Sequence, residues 1–176
     1  MLIGIEGEIM KKGEIMKKKQ VAVASEFPPV VVAYIKAAGW MPKREVPTSM
    51  YEKAYKAEGL LLLEKPERFL RQFGGLIIRY VTETQQQDVL EFVAERAVLG
   101  MRGGGIKGFE ELIGVAPLCP IGHYFFGTCL LLMDGKGQVF GGSDETVTFI
   151  GATGEEAISN ILSCAESEVL EPKASY

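Results

Sequence analysis

Apolar positions recur along the chain in two rhythms, and the change between them divides it. From Ser25 to Gly75 they fall three and four residues apart, the spacing of one helical face. VVAYIKAA (31–38) is one such run, with Pro29 suited to a first turn that has no use for its missing amide and Gly39 as a stop. YEKAYKAE (51–58) is a second, with Ser49 and Glu52 at capping-box spacing and Gly59 behind it. A third begins at Pro66 and carries ERFLRQF to the Gly74-Gly75 pair, with Phe69, Leu70 and Phe73 on one face.

Beyond that pair the period becomes two. LIIRYVT (76–82) and DVLEFV (88–93) read as strands, MRGGGIKG (101–108) as a flexible connection, and FEELIG (109–114) as a short helix. The two prolines of APLCPIG (116–122) deny helix continuation and force an extended turn. HYFFGTCLLLM (123–133) then reads as one strand, which turns at Asp134-Gly135-Lys136-Gly137 and returns as QVFGG (138–142). ETVTFIG (145–151) adds a strand by alternation, and Thr153 with Glu156 forms a capping box for EEAISNILSCA (155–165), with Ile158, Ile161 and Leu162 facing inward. Helices, then a mostly antiparallel meander of strands, then a closing helix make the class α+β, not alternating βαβ.

Length and composition narrow the setting. A chain of 176 residues is the size of one ordinary domain, here expected over 25–170 between a tail at 1–24 and a short one at 171–176. The tail carries GEIMKK twice in tandem, too few copies for a solenoid. No apolar run approaches the roughly 20 residues that cross a bilayer, and the N-terminus lacks the apolar core of a secretion signal. Three cysteines without framework spacing fit reduced thiols. A cytoplasmic protein with no membrane partner is expected.

Candidate chemistry centres on the only histidine. Cys119 and His123 are four residues apart, and a thiol enzyme would need them within hydrogen-bond reach of each other. Packing of the thiol in the core and of the imidazole at a strand end serves the same residues without catalysis. A zinc site of Cys119, Cys129, Cys164 and His123 lacks the paired Cys-x-x-Cys knuckle, and MRGGGIKG is no phosphate loop because no Gly-Lys-Ser/Thr follows. Glu110-Glu111 and Glu155-Glu156 take first-turn places in expected helices, where they offset the dipole. Trp40, just past a helix-stopping glycine, reads as a core anchor. No catalytic, cofactor or metal site is expected.

Four segments resemble the SUKH-3 immunity proteins, a branch of the SUKH superfamily that includes the Smi1/Knr4 group. AAGWMPKREV (37–46), with Gly39, Trp40 and Arg44, resembles that family's opening motif. ERFLRQFGGLII (67–78) resembles its next element through Phe69, Leu70, Gly74, Gly75 and Leu76. FEELIGVAPLCPIG and LLLMDGKGQVFGG resemble its PIG and Asp-Gly signatures through Pro120, Ile121, Gly122, Asp134, Gly135, Gly137 and Val139. GATGEEAISNIL (151–162) resembles its closing helix. Lys43 stands where the family commonly has glycine and Gln138 where it has arginine.

The resemblance implies a non-enzymatic protein of bacterial polymorphic-toxin systems that binds the toxin domain encoded beside it and blocks its active site, a nuclease or other nucleic-acid-modifying toxin being one such target. The alternatives are an intracellular regulatory or scaffold module of the Smi1/Knr4 type and a Cys119/His123 thiol enzyme. Charge along the chain adds one expectation. Residues 141–176 hold Asp144, Glu145, Glu155, Glu156, Glu166, Glu168 and Glu171 against Lys173 alone, a surface that repels nucleic acid and would steer a basic protein partner. Asp144, Glu145, Glu155 and Glu156 are the partner-binding candidates.

Overall fold

The computed structural model describes residues 27–100, 105–143, 146–165 and 168–170, and of the last three only the side chain of Leu170. The GEIMKK repeat, residues 101–104, Asp144, Glu145 and residues 171–176 lie outside them. Among the described residues three helices come first, α1 (Pro29–Ala37), α2 (Ser49–Ala57) and α3 (Glu64–Phe73). The hairpin β1 (Ile77–Val81) and β2 (Gln87–Glu91) follows, then α4 (Ala94–Leu99) and α5 (Gly105–Ile113). The remainder is β3 (Leu118–Tyr124), β4 (Cys129–Asp134), β5 (Val139–Ser143), β6 (Thr146–Gly151), α6 (Gly154–Leu162) and β7 (Glu168–Leu170). The strands form one sheet in chain order, every neighbouring pair antiparallel, so the fold is an α+β meander as expected.

Both faces of the middle of the sheet are covered, which explains why CLLLM shows no alternation. Leu131 and Met133 of β4 join the main core, with Val31 and Ile35 of α1, Tyr55 of α2, Phe69, Leu70 and Phe73 of α3, and Ile158 and Leu162 of α6. Leu130 and Leu132 face the other way, into a second core with Ile106 and Ile113 of α5, Phe140 and Val147. Trp40 is buried in the main core, its ring parallel to that of Phe73 with centroids 6.2 Å apart, and Phe27 meets it edge-on.

Several local expectations give way to tertiary contacts. HYFFGTCLLLM is not one strand: Phe125 to Thr128 turn the chain between β3 and β4, with Phe125 and Phe126 at φ of 51° and 55°. The buried Asp88 holds that turn by accepting a hydrogen bond from the Phe126 amide at 2.7 Å. Ser49 caps nothing, since it is the first residue of α2; the Thr48 hydroxyl before it instead donates to the carboxylates of Glu52 and Glu67. AERAVL forms α4, which the strand reading of DVLEFV did not anticipate, and α5 starts at Gly105, earlier than FEELIG. APLCPIG supplies a cis Ala116–Pro117 bond and then β3 itself, not a turn. Glu110 and Glu111 take no first-turn role, because the helix begins at Gly105; the Glu110 carboxylate instead accepts the Leu118 amide at 3.0 Å and ties α5 to the start of β3.

Two of the signature glycines, Gly74 and Gly122, are set by close approach. A Cβ on Gly122 would lie 2.0 Å from the Glu91 carbonyl oxygen of β2, and one on Gly74 would lie 2.3 Å from that of Leu70. At the β4–β5 turn the buried Asp134 carboxylate accepts from the amides of Lys136 and Gln138, which presents Lys136 outward.

Candidate functional site

Cys119 and His123 both lie on β3, but the strand does not make them a pair. The Cys119 thiol is fully buried, donates to the Leu61 carbonyl at 3.2 Å and lies 3.5 Å from the Leu63 amide. Burial pushes that thiol up to about 11; the Leu63 amide opposes the shift and the charge of Glu110 adds to it. A nucleophilic thiol needs the reverse shift. His123 turns to Glu91 of β2, with Nδ1 3.5 Å from Oε1, and Arg96 of α4 contacts both oxygens of that carboxylate at 2.9 and 3.0 Å. Burial lowers the imidazole pKa, and the Glu91 charge offsets part of the effect. The sulfur and the ring thus face different neighbours, and at 3.5 Å from Glu91 the ring Nδ1 makes no hydrogen bond. Among the described residues no three His, Cys, Asp or Glu side chains gather closely enough to hold a metal ion.

Glu155 and Glu156 do stand in the first turn of α6. Glu156 is engaged there: its amide donates to the Thr153 hydroxyl at 3.1 Å and its carboxylate accepts from the Ala152 amide at 3.1 Å. Glu155 points to a groove of a different character. About 560 Å³ in volume, this groove runs between the loop after α1, helix α3, the β4–β5 turn and the start of α6. Lys43, Arg44, Lys65, Arg68, Arg71 and Lys136 line it, against Glu45 and Glu155.

Its walls are braced from beneath. Arg44 donates to the carbonyls of Gln72 and Gly74 at 2.7 and 2.8 Å, and the Val46 amide to the Arg71 carbonyl at 2.8 Å, so the loop is fastened to the end of α3. Arg68 and Arg71 pair with Glu64 and Glu67 one turn earlier on α3. Lys43, Lys65 and Lys136 are exposed and have no ion pair among the described residues.

The family model described as SUKH-3 immunity protein matches residues 27–164, most of the chain. The chain belongs to the SUKH-3 immunity protein family. No curated protein and no solved structure matches it. In this SUKH-3 protein the four signature segments, far apart in sequence, converge on the groove. Lys43, Arg44 and Glu45 come from the first, Arg68 and Arg71 from the second, Met133, Lys136 and Gly137 from the third, and Thr153, Gly154 and Glu155 from the last. Many signature residues are buried instead: Trp40, Leu70, Leu76, Ile121, Asp134 and Val139 lie inside the fold, and Phe69 is nearly buried where it lines the groove. Sequence reading did not single out Lys65, Arg68, Arg71 or Lys136. Their only signal was a set of cations in KPERFLR and DGK, which any solvated helix face or turn also shows.

Proposed function

We propose that this SUKH-3 protein is an immunity protein that acts in the cytoplasm by binding the toxin domain encoded beside it and occluding that toxin's active site, without catalysing a reaction. Membership of the family across 27–164 carries this reading. The rest of the molecule is suited to it. Inhibition by occlusion requires a rigid surface, complementary in shape and charge to its target, and asks for no reactive group. A core closed on both faces of the sheet and a groove with braced walls supply such a surface, whereas the Cys119 thiol, raised by burial and facing other neighbours than His123, supplies no activated thiolate.

The experiment is co-expression of the neighbouring toxin domain with and without this protein, scored by growth and by co-purification. Rescue with a stoichiometric complex is the expected result. Failure to protect against an active neighbouring toxin, with the protein folded and abundant, overturns the immunity reading and favours a regulatory module of the Smi1/Knr4 type.

A further inference from the structure

The groove's charge is opposite to that of the molecule around it. The chain carries a formal net charge of −4, yet cations outnumber carboxylates along the groove even when Glu64 and Glu67, the partners of Arg68 and Arg71, are counted. Like charges placed together repel, and here they arrive from three separated segments. Lys43 adds a second, independent observation: of the described non-glycine residues with positive φ, Lys43, Gln85, Phe125, Phe126 and Cys164, it is the one that lines the groove. Its φ is 65°, a left-handed conformation that costs an L residue a close approach of its Cβ to the following carbonyl oxygen. A glycine would carry this bend without that cost, and it would leave the groove without the lysine. Strain retained at an exposed, charged position on a braced loop is the pattern of a residue kept for contact.

We infer that the groove is the docking surface for an acidic protein segment, a loop or strand of the toxin partner bearing several carboxylates. The inference rests on the immunity reading for the identity of the partner, while the chemistry comes from the groove alone. Lys43, Lys65 and Lys136 stand on three different walls, so a carboxylate-bearing segment lying between them meets from each side an ammonium that has no ion pair among the described residues. Because the Arg44 clamp fixes the loop beforehand, little ordering is needed on binding. Nucleic acid fits less well. Single strands bind through exposed aromatic faces beside a basic track, but the aromatic in this groove, Phe69, is only 7% exposed, and Glu45 and Glu155 interrupt the positive lining.

The test uses the full chain and a fluorescein-labelled octaglutamate peptide, with binding read as anisotropy at low salt. Three proteins are compared: wild type, the groove variant K43E/K65E/K136E, and the control K53E/K56E/K107E, which makes the same charge change at exposed positions outside the groove. The inference expects peptide binding that weakens at least about tenfold in the groove variant, is retained in the control, and falls with added salt. No binding by wild type, or equal loss in both variants, overturns it. So does a labelled single-stranded DNA octamer that binds more tightly than the peptide and loses binding in the groove variant.

Lys43→Gly gives a reading that does not depend on tolerance of the triple variant. It should weaken peptide binding without lowering thermal stability, and a loss of stability with binding unchanged would assign Lys43 a structural role instead. The growth assay separates the two proposals. A groove variant that still protects from the toxin overturns the docking surface and leaves the immunity reading standing. A wild type that binds the peptide but gives no protection does the reverse.

Discussion

Gly122 shows how a signature residue can be demanded by packing alone. The β2 backbone at Glu91 passes so close that a Cβ would meet its carbonyl oxygen at 2.0 Å, and β3 already carries a register shift between Pro120 and Gly122. Gly122→Ala must therefore push β2 and β3 apart. It is expected to destabilise the fold by roughly 3 kcal/mol or more, measured as a shift of the urea midpoint at constant slope. One residue on, His123 gives a pH prediction that is easy to isolate, because it is the only histidine in the chain. Burial lowers its folded pKa below the value near 6.5 that it has when unfolded. The unfolded chain thus takes up a proton that the folded one resists, so stability is complete above about pH 6.5 and falls as pH drops below it. Wild type should lose urea resistance between pH 7.5 and 5.5, and His123→Gln should lose less. An equal loss in both would place the titration elsewhere.

The β3–β4 hairpin is one element that sequence reading misjudged, and Asp88 shows why. Ten of the eleven residues in HYFFGTCLLLM are compatible with a strand, and the turn begins at two phenylalanines, residues that carry no turn signal. What bends the chain there comes from β2. Asp88, 1% exposed, accepts from the Phe126 amide, from the Val89 amide and from the Tyr80 hydroxyl at 3.0 Å, so one carboxylate joins β1, β2 and the hairpin tip. Asp88→Ala would strand those donors, and a loss of about 2 to 4 kcal/mol is expected. Amide exchange at Phe126 should rise more than exchange in α6, to which Asp88 makes no hydrogen bond. Uniform loss of protection would mean that Asp88 supports the whole fold and not this tip.

In the molecule as a whole, charge follows space and not sequence. Read along the chain, the acidic end at 141–176 is the conspicuous feature, and it directs attention to Asp144, Glu145, Glu155 and Glu156. In space, Glu156 is occupied by the start of α6, Glu155 stands on the rim of a groove dominated by cations, and Asp144 and Glu145 lie outside the described residues. The groove therefore sets the expectation for the partner's chemistry: association should slow as salt rises, and it should slow further when Lys43, Lys65 and Lys136 are reversed than when Glu155 is.

Helices α1 and α3, the β4–β5 turn and the cap of α6 were legible because each is specified within a few neighbouring residues: Pro29, the Phe69-Leu70-Phe73 face, Asp134 with Gly137, and Thr153 with Glu156. The four signature segments were legible for the same reason, since their buried and sterically confined residues must stand at fixed spacings. The hairpin tip, the role of Glu110, the separation of Cys119 from His123, and the basic groove depend on side chains that meet across long stretches of chain. Local periodicity carries no record of such meetings. Only when the sheet closes in order and α3 and α6 pack onto it do Lys43, Lys65 and Lys136 become neighbours on one surface.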